Sequence, residues 1–246
     1  MKKFLKIFFC FVLIGIVCIA MAKSYHNVDN YVKNAPAVAS ENDLKRVVRY
    51  LTSEFNSDED KARAIYAWIV YNIDYDDYKY KRWIENHQKS RQKEVPTVDV
   101  IEKTHAGICG EISELYVKMA QYANLKAEVI HGIAVTAGAR INKDNMDEFE
   151  HAWVAVKIDR EWEYIDPTWA IPEKVFTDVR TDGAYRRELQ NRVYKAGKIQ
   201  HNNRSVSNDW FMTDKEDMIK THFPNDERWQ LQRRHRTLNQ FLRQFR

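Results

Sequence analysis

Apolar residues recur at steps of three and four over three long stretches of the chain, then at steps of two near its middle. The pattern predicts helices followed by strands. Leu44, Val47, Val48 and Leu51 form one helical face behind Ser40-Glu41-Asn42-Asp43, a capping residue with early acidic neighbours. A second face runs through Ala62, Ile65, Tyr66, Ile69, Val70 and Ile73, with Trp68 nearby and Ser57 as its cap. A third comprises Ile112, Leu115, Tyr116, Met119 and Ala123, and Asn124 suits a left-handed stop. Glu128 to Val135 then reads as a strand with Val129, His131, Ile133 and Val135 on one face. The clearest hairpin follows. His151 to Ile158 is one strand and Glu161 to Ile165 the return, with either Asp159-Arg160 or Ile158-Asp159 as the turn. Pro167 ends the ladder.

Periodicity fails elsewhere. Residues 23–39 read as an irregular lead-in to a domain over 40–246. From Asp74 to Thr97, Tyr75, Tyr78, Tyr80 and Trp83 mix with basic residues, which fits a solvated loop or lid beside a cleft. Thr97 to Lys103 reads as one short helical turn, Thr136 to Phe149 as a polar loop, and 173–207 as loop with a helical piece near Tyr185 to Tyr194. Thr213 should cap a helix carrying Met218 and Ile219, stopped by Pro224. In the tail, Leu238, Phe241, Leu242 and Phe245 share a face with arginines around it. Such a tail either touches anionic membrane as a peripheral contact or docks on the domain.

Composition narrows the class. With 246 residues, 44% hydrophobic, and only 7 glycines and 5 prolines, the chain can bury one good core. The first 22 residues stand apart from it. Lys2, Lys3 and Lys6 precede an uncharged run to Ala20, and Ala20-Met21-Ala22 offers a cleavage site. That is the layout of a secretory signal peptide, so the protein is expected to be exported to a periplasmic or extracellular space. An uncleaved segment anchoring it to the membrane is the alternative. Cleavage would take three of the 39 basic residues and none of the 35 acidic ones, lowering the formal charge from +4 to +1. Near balance, with no recognition motif, argues against a nucleic-acid partner. Cleavage would also remove Cys10 and Cys18, leaving Cys109 as the one thiol.

Cys109 sits in Thr104-His105-Ala106-Gly107-Ile108-Cys109-Gly110-Glu111, at the first turn of the third helix. Open backbone N–H groups and the positive end of the helix dipole favour a thiolate there, and the flanking glycines allow close approach of a substrate. Hairpin geometry brings His151 and Asp166 to the same face, directly opposite or one diagonal step apart. A carboxylate beside an imidazole fixes its tautomer and steadies its protonated form, which frees the other ring nitrogen for a thiol. The Cys109 N–H is then a natural oxyanion donor. Cys109, His151 and Asp166 thus make a nucleophile, base and orienter set. No HExxH or paired-cysteine spacing points to a metal, and no motif points to a cofactor.

Gly107-Ile108-Cys109, His151-Ala152-Trp153-Val154 and Asp166-Pro167-Thr168-Trp169, in that order, resemble the transglutaminase-like superfamily of papain-type folds. Lys61 to Ile69 and Asn72 to Tyr75 resemble its helix before the nucleophile. Trp210 to Asp214, His222-Phe223-Pro224 and Trp229-Gln230-Leu231 resemble the branch that includes kyphoscoliosis peptidase. The resemblance implies an α+β fold, with N-terminal helices and the nucleophile helix packed on a small antiparallel sheet. It also implies Cys109 as nucleophile, His151 as base and Asp166 as orienter. Cleavage or transfer at amide bonds of protein, peptide or cell-wall peptide substrates would follow, with water or an amine as acceptor. A noncatalytic interaction module on the same fold, using the aromatic and basic surface from Tyr75 to Arg91, is the competing expectation.

Overall fold

A computed structural model describes residues 23–36, 41–89, 103–172, 174–195 and 200–245. The expected leader at 1–22, the Ser40 cap and most of the turn expected at Thr97 to Lys103 lie outside them. Three helices come first: α1 (His26–Val32), α2 (Glu41–Ser53) and α3 (Asp58–Asn72). Helix α1 corrects the irregular lead-in. It is too short to show periodicity, but Val28 and Val32 are buried against α3. Ser57 caps α3 by accepting the Asp60 N–H at 3.1 Å. Helix α3 is buried at every position from Ala62 to Asn72, so it is the central rod of the core and not an amphipathic surface helix. The buried Arg63 is held there by a bidentate bond to Asp29 of α1, at 2.8 Å for each N–O contact.

The stretch expected to be a loop or lid after α3 is a short strand, β1 (Asp74–Asp76), and a helix, α4 (Asp77–Lys89). Asp76 caps α4, since its Oδ1 accepts the Lys79 N–H at 2.9 Å. Tyrosines and a tryptophan take the place of aliphatic residues on this helix, which hid its periodicity. Next come β2 (Ala106–Gly107), α5 (Cys109–Tyr122) and β3 (Ala127–Ala134). Asn124 between α5 and β3 takes the left-handed conformation, with φ of 60°.

Strands β4 (Glu150–Ile158) and β5 (Glu161–Ile165) form the hairpin. Ile158 pairs with Glu161, so Asp159-Arg160 is the turn, and both turn residues have positive φ, as the tight twisted type requires. Then follow β6 (Lys174–Val175), α6 (Asp182–Lys195), β7 (Phe211–Thr213), α7 (Lys215–Thr221), β8 (His222–Pro224) and α8 (Leu238–Leu242). Asp214, not Thr213, caps α7, accepting from the Glu216 and Asp217 amides. Thr213 ends β7, and its hydroxyl donates to the Asp209 carbonyl instead.

The main sheet is antiparallel in the order β7-β5-β4-β3-β8, and β1 joins β2 and β6 in a small parallel sheet. Val154, Val156, Ile158 and Ile165 face the helices in the main core. Ile130, Trp153, Ala155 and Tyr164 face the other way, under Met218 and Trp229. Both sheet faces are therefore covered, and the simple alternation expected of a half-buried strand gives way in β3 and β4. Phe241 and Leu242 pack with Ile133, Val135 and Ile141, so the tail's apolar face is used inside the domain. Among the described residues no helix is long and apolar enough to cross a membrane.

Candidate active site

The turn into Cys109 is pinned before the helix starts. His105, buried and in the left-handed region with φ of 54°, lies 3.0 Å through Nδ1 from the Asn72 carbonyl. Its own carbonyl accepts the Asp74 N–H and the Arg192 guanidinium, each at 2.9 Å. Ile108 is the residue before the first helical turn and offers no side-chain acceptor to the open amides. Instead Glu111 reaches back, its Oε2 accepting the Ile108 N–H at 3.1 Å and its Oε1 pairing with Lys79. The amides at the helix start beside Cys109 are thus left without a capping side chain.

Strand register brings the other two residues together. Val154 pairs with Ile165, which puts Asp166 one diagonal step from His151. His151 Nε2 lies 2.9 Å from Asp166 Oδ2. With Nε2 so used, the Nδ1 side remains for Cys109, whose side chain is within hydrogen-bonding reach of the ring. Cys109 is 8% exposed and Asp166 is fully buried. All three sequence-predicted site residues therefore meet at one place.

Electrostatics separates their proton states. Burial works against a charged His151, but the Asp166 carboxylate and the hydrogen bonds to Asp166 and Cys109 outweigh it, raising the ring to about 10. Burial alone would raise Asp166; the two histidines around it hold its carboxyl well below the usual range instead.

One member of the cluster was not foreseen. His222, the first residue of β8, is buried and places Nε2 3.1 Å from the same Asp166 Oδ2. Its Nδ1 is 2.8 Å from the Thr221 hydroxyl. Burial lowers His222, against the pull of Asp166. His222-Phe223-Pro224 carried part of the family resemblance, but a histidine 56 residues beyond Asp166 shows no link to it until β8 pairs with β3. The other Asp166 oxygen, Oδ1, accepts the Thr168 and Trp169 amides at 2.9 and 3.1 Å.

A cleft of about 650 Å³ opens beside His151. Tyr75, Tyr80, Trp169 and Trp210 give it aromatic walls, and Asp77, Glu148, Glu150 and Lys174 give it charge. Side-chain donor atoms of His151, Asp166 and His222 lie within 4.8 Å of one another, the one grouping among the described residues compact enough to raise the question of a metal. Both Nε2 atoms, however, converge on a single carboxylate oxygen, which is the pattern of a hydrogen-bond relay.

With helices packed on the sheet and a cysteine, histidine and aspartate gathered at its end, the chain belongs to the transglutaminase-like superfamily, whose family profile matches residues 45–167. Among characterised proteins it is similar to kyphoscoliosis peptidase of Mus musculus, 28% identical over 209 residues, covering 85% of this chain and 27% of that protein. It is also similar to the Lim and transglutaminase domain protein ltd-1 of Caenorhabditis elegans, 30% identical, covering 84% of this chain and 25% of that one. The chain thus spans about a quarter of the length of these relatives. Solved structures similar to it include a TGase (TM-score 0.38, 16% identity, 68% of this chain, 36% of that one). Another is the periplasmic domain of TgpA from Pseudomonas aeruginosa (TM-score 0.37, 12% identity, 70% and 52%).

Proposed function

We propose that this chain is an exported cysteine-dependent enzyme that cleaves or transfers acyl groups at amide bonds of protein or peptide substrates, cell-wall peptides included. The observation that carries the reading is an imidazole bonded to a buried carboxylate and within reach of a helix-start sulfur, both of which favour its protonated form. In the reaction the Cys109 sulfur attacks the amide carbonyl, and its electron pair forms the C–S bond. Negative charge moves to the carbonyl oxygen, where the Cys109 N–H at the helix start would donate. His151 then hands its proton to the departing nitrogen as the C–N bond breaks, leaving an acyl-thioester and a neutral ring. Asp166 keeps that ring oriented throughout. A second nucleophile, water or a primary amine, loses its proton to His151 and bonds to the acyl carbon, and the C–S bond breaks to return the Cys109 thiolate. Water gives hydrolysis and an amine gives transamidation.

The cleft is lined by His151, the group that would hand a proton to a departing nitrogen, so it suits the leaving group and the incoming acceptor. The basic and apolar start of the sequence supports export. With Phe241 and Leu242 buried, contact with an anionic membrane would rest on exposed arginines such as Arg233, Arg234 and Arg243.

Intact-mass spectrometry tests the proposal. The full chain is incubated with a library of dipeptide amides and a primary amine. The expected record is an acyl adduct on the wild-type chain that is absent from Cys109→Ala, together with hydrolysed or transamidated product. Absence of adduct and product across the library, with partner capture that survives Cys109→Ala, would favour the interaction-module reading instead.

A further inference from the structure

Asp166 has four acceptor positions, and all four are filled. Backbone amides of Thr168 and Trp169 take Oδ1, while the Nε2 atoms of His151 and His222 converge on Oδ2. Only donors can face a carboxylate at these distances, so His222 must carry a proton on Nε2. Its other nitrogen is 2.8 Å from the Thr221 hydroxyl, whose one proton can go to a bare Nδ1 or to the Met218 carbonyl at 3.3 Å, and the contact with Nδ1 is the shorter. The opposite tautomer would set a lone pair against the carboxylate. Among the described residues Asp166 and His151 are the titratable groups facing His222. Trp153, Trp169 and Trp210 pack around its ring, with centroids 5.0, 4.5 and 5.7 Å away.

We propose that His222 is a positioning residue for the Cys109–His151–Asp166 set: a neutral imidazole whose Nε2–H clamps Oδ2 while its bare Nδ1 faces the Thr221 hydroxyl. The inference rests on the reading of His151 and Asp166 as working partners of Cys109. Two imidazoles share one carboxylate, and their surroundings drive them apart. Burial keeps His222 uncharged, while His151 retains its proton. The carboxylate then has one cationic neighbour and three neutral donors. It cannot turn without breaking at least one of these bonds, so the ring that meets the sulfur is fixed in direction. Strand β8 thereby becomes part of the site, although it contributes no group to the sulfur itself.

The test has a spectroscopic arm and a reactivity arm, both on the full chain. In nitrogen-15 histidine spectra near neutral pH, His222 should appear as the neutral Nε2–H tautomer and His151 as the charged ring. Replacing His222 with Phe keeps ring volume and removes the donor; replacing it with Gln keeps an N–H. His222→Phe should slow iodoacetamide labelling of Cys109 by about tenfold, the scale of one lost charge-assisted hydrogen bond, and His222→Gln should recover most of that rate. Labelling is read at Cys109 by peptide mass spectrometry, because Cys10 and Cys18 also carry thiols. Thr221→Val removes the hydroxyl that faces Nδ1 and should slow labelling by about threefold.

A charged His222, or one with its proton on Nδ1, would overturn the proposal. So would a folded His222→Phe chain that labels within about twofold of wild type, since a lost anchor must cost more than that. Should His222→Phe fail to fold, Thr221→Val decides in the same way, a wild-type rate counting against the proposal. The enzymatic reading fails separately, if wild-type Cys109 labels no faster than an unfolded thiol. In that event the histidine spectra still report whether His222 holds Asp166.

Discussion

Cys109, His151 and Asp166 each have an ordinary explanation when taken singly: a buried thiol, a strand histidine, an aspartate before proline. Their meeting makes them unusual, and their proton states give it a measurable consequence. His151 binds its proton more tightly folded than unfolded. Its contribution to stability is therefore complete below the unfolded value of about 6.5 and is lost as pH rises through about 10. Asp166 and His222 are both lowered, so their contributions are present above their unfolded values and fade as pH falls through the acid range. Urea unfolding between pH 7 and 10 should show wild-type stability declining, with the decline flatter in His151→Gln. Parallel curves for the two proteins over that window would mean that the ring is not held charged by Asp166. The three residues were legible in the sequence because each lies beside a local signal: a glycine-flanked helix start, a strand end and a proline stop. His222 was not, because nothing near it in the chain marks the carboxylate it touches.

Elements whose pattern rests on aliphatic spacing, α2, α3, α5 and the β4–β5 hairpin, were readable from the sequence to within a few residues. Those built on aromatic and charged residues were not. Helix α4 shows the physical reason: Asp76 starts it as a cap, Lys79 leaves it to pair with Glu111, and Tyr80 donates to the Glu148 carbonyl at 2.9 Å, so its inward face is polar. Strand β8, three residues long, depends on a close approach to β3. Gly132 makes that approach possible, since a Cβ there would lie 2.2 Å from the Phe223 carbonyl oxygen and 2.7 Å from the Trp153 ring. Gly132→Ala should therefore destabilise the domain by about 1–3 kcal/mol and loosen β8 from the sheet. Thermal or urea unfolding checks the first effect, and hydrogen exchange at the Ile133 and Phe223 amides the second. An alanine variant as stable and as protected as wild type would contradict the packing described for this edge.

At the scale of the whole molecule, the site lies where three layers end together. The N-terminal helices carry α5 and its sulfur, the sheet carries His151 and Asp166, and the C-terminal elements close the far face and bring His222. Long-range polar ties hold these layers in register. Arg63 links α3 to α1, and its guanidinium also donates to the carbonyls of Val206 and Ser207. Asp74 gathers Arg192, Arg204 and His201, with its carboxyl held below the usual range despite burial because Arg204 and Arg192 stand beside it. Such ties, most of them joining residues more than a hundred positions apart, are invisible to periodicity, whereas the α+β class followed from the order of helices and strands. The claim on which the account stands is that Cys109 is activated by His151. Second-order rate constants for iodoacetamide at Cys109, resolved by peptide mass spectrometry at neutral pH, test it most directly. The account predicts a rate well above that of the same thiol in unfolded chain, and a loss of at least about tenfold in His151→Ala. Equal rates in folded wild type, folded His151→Ala and unfolded chain would contradict it.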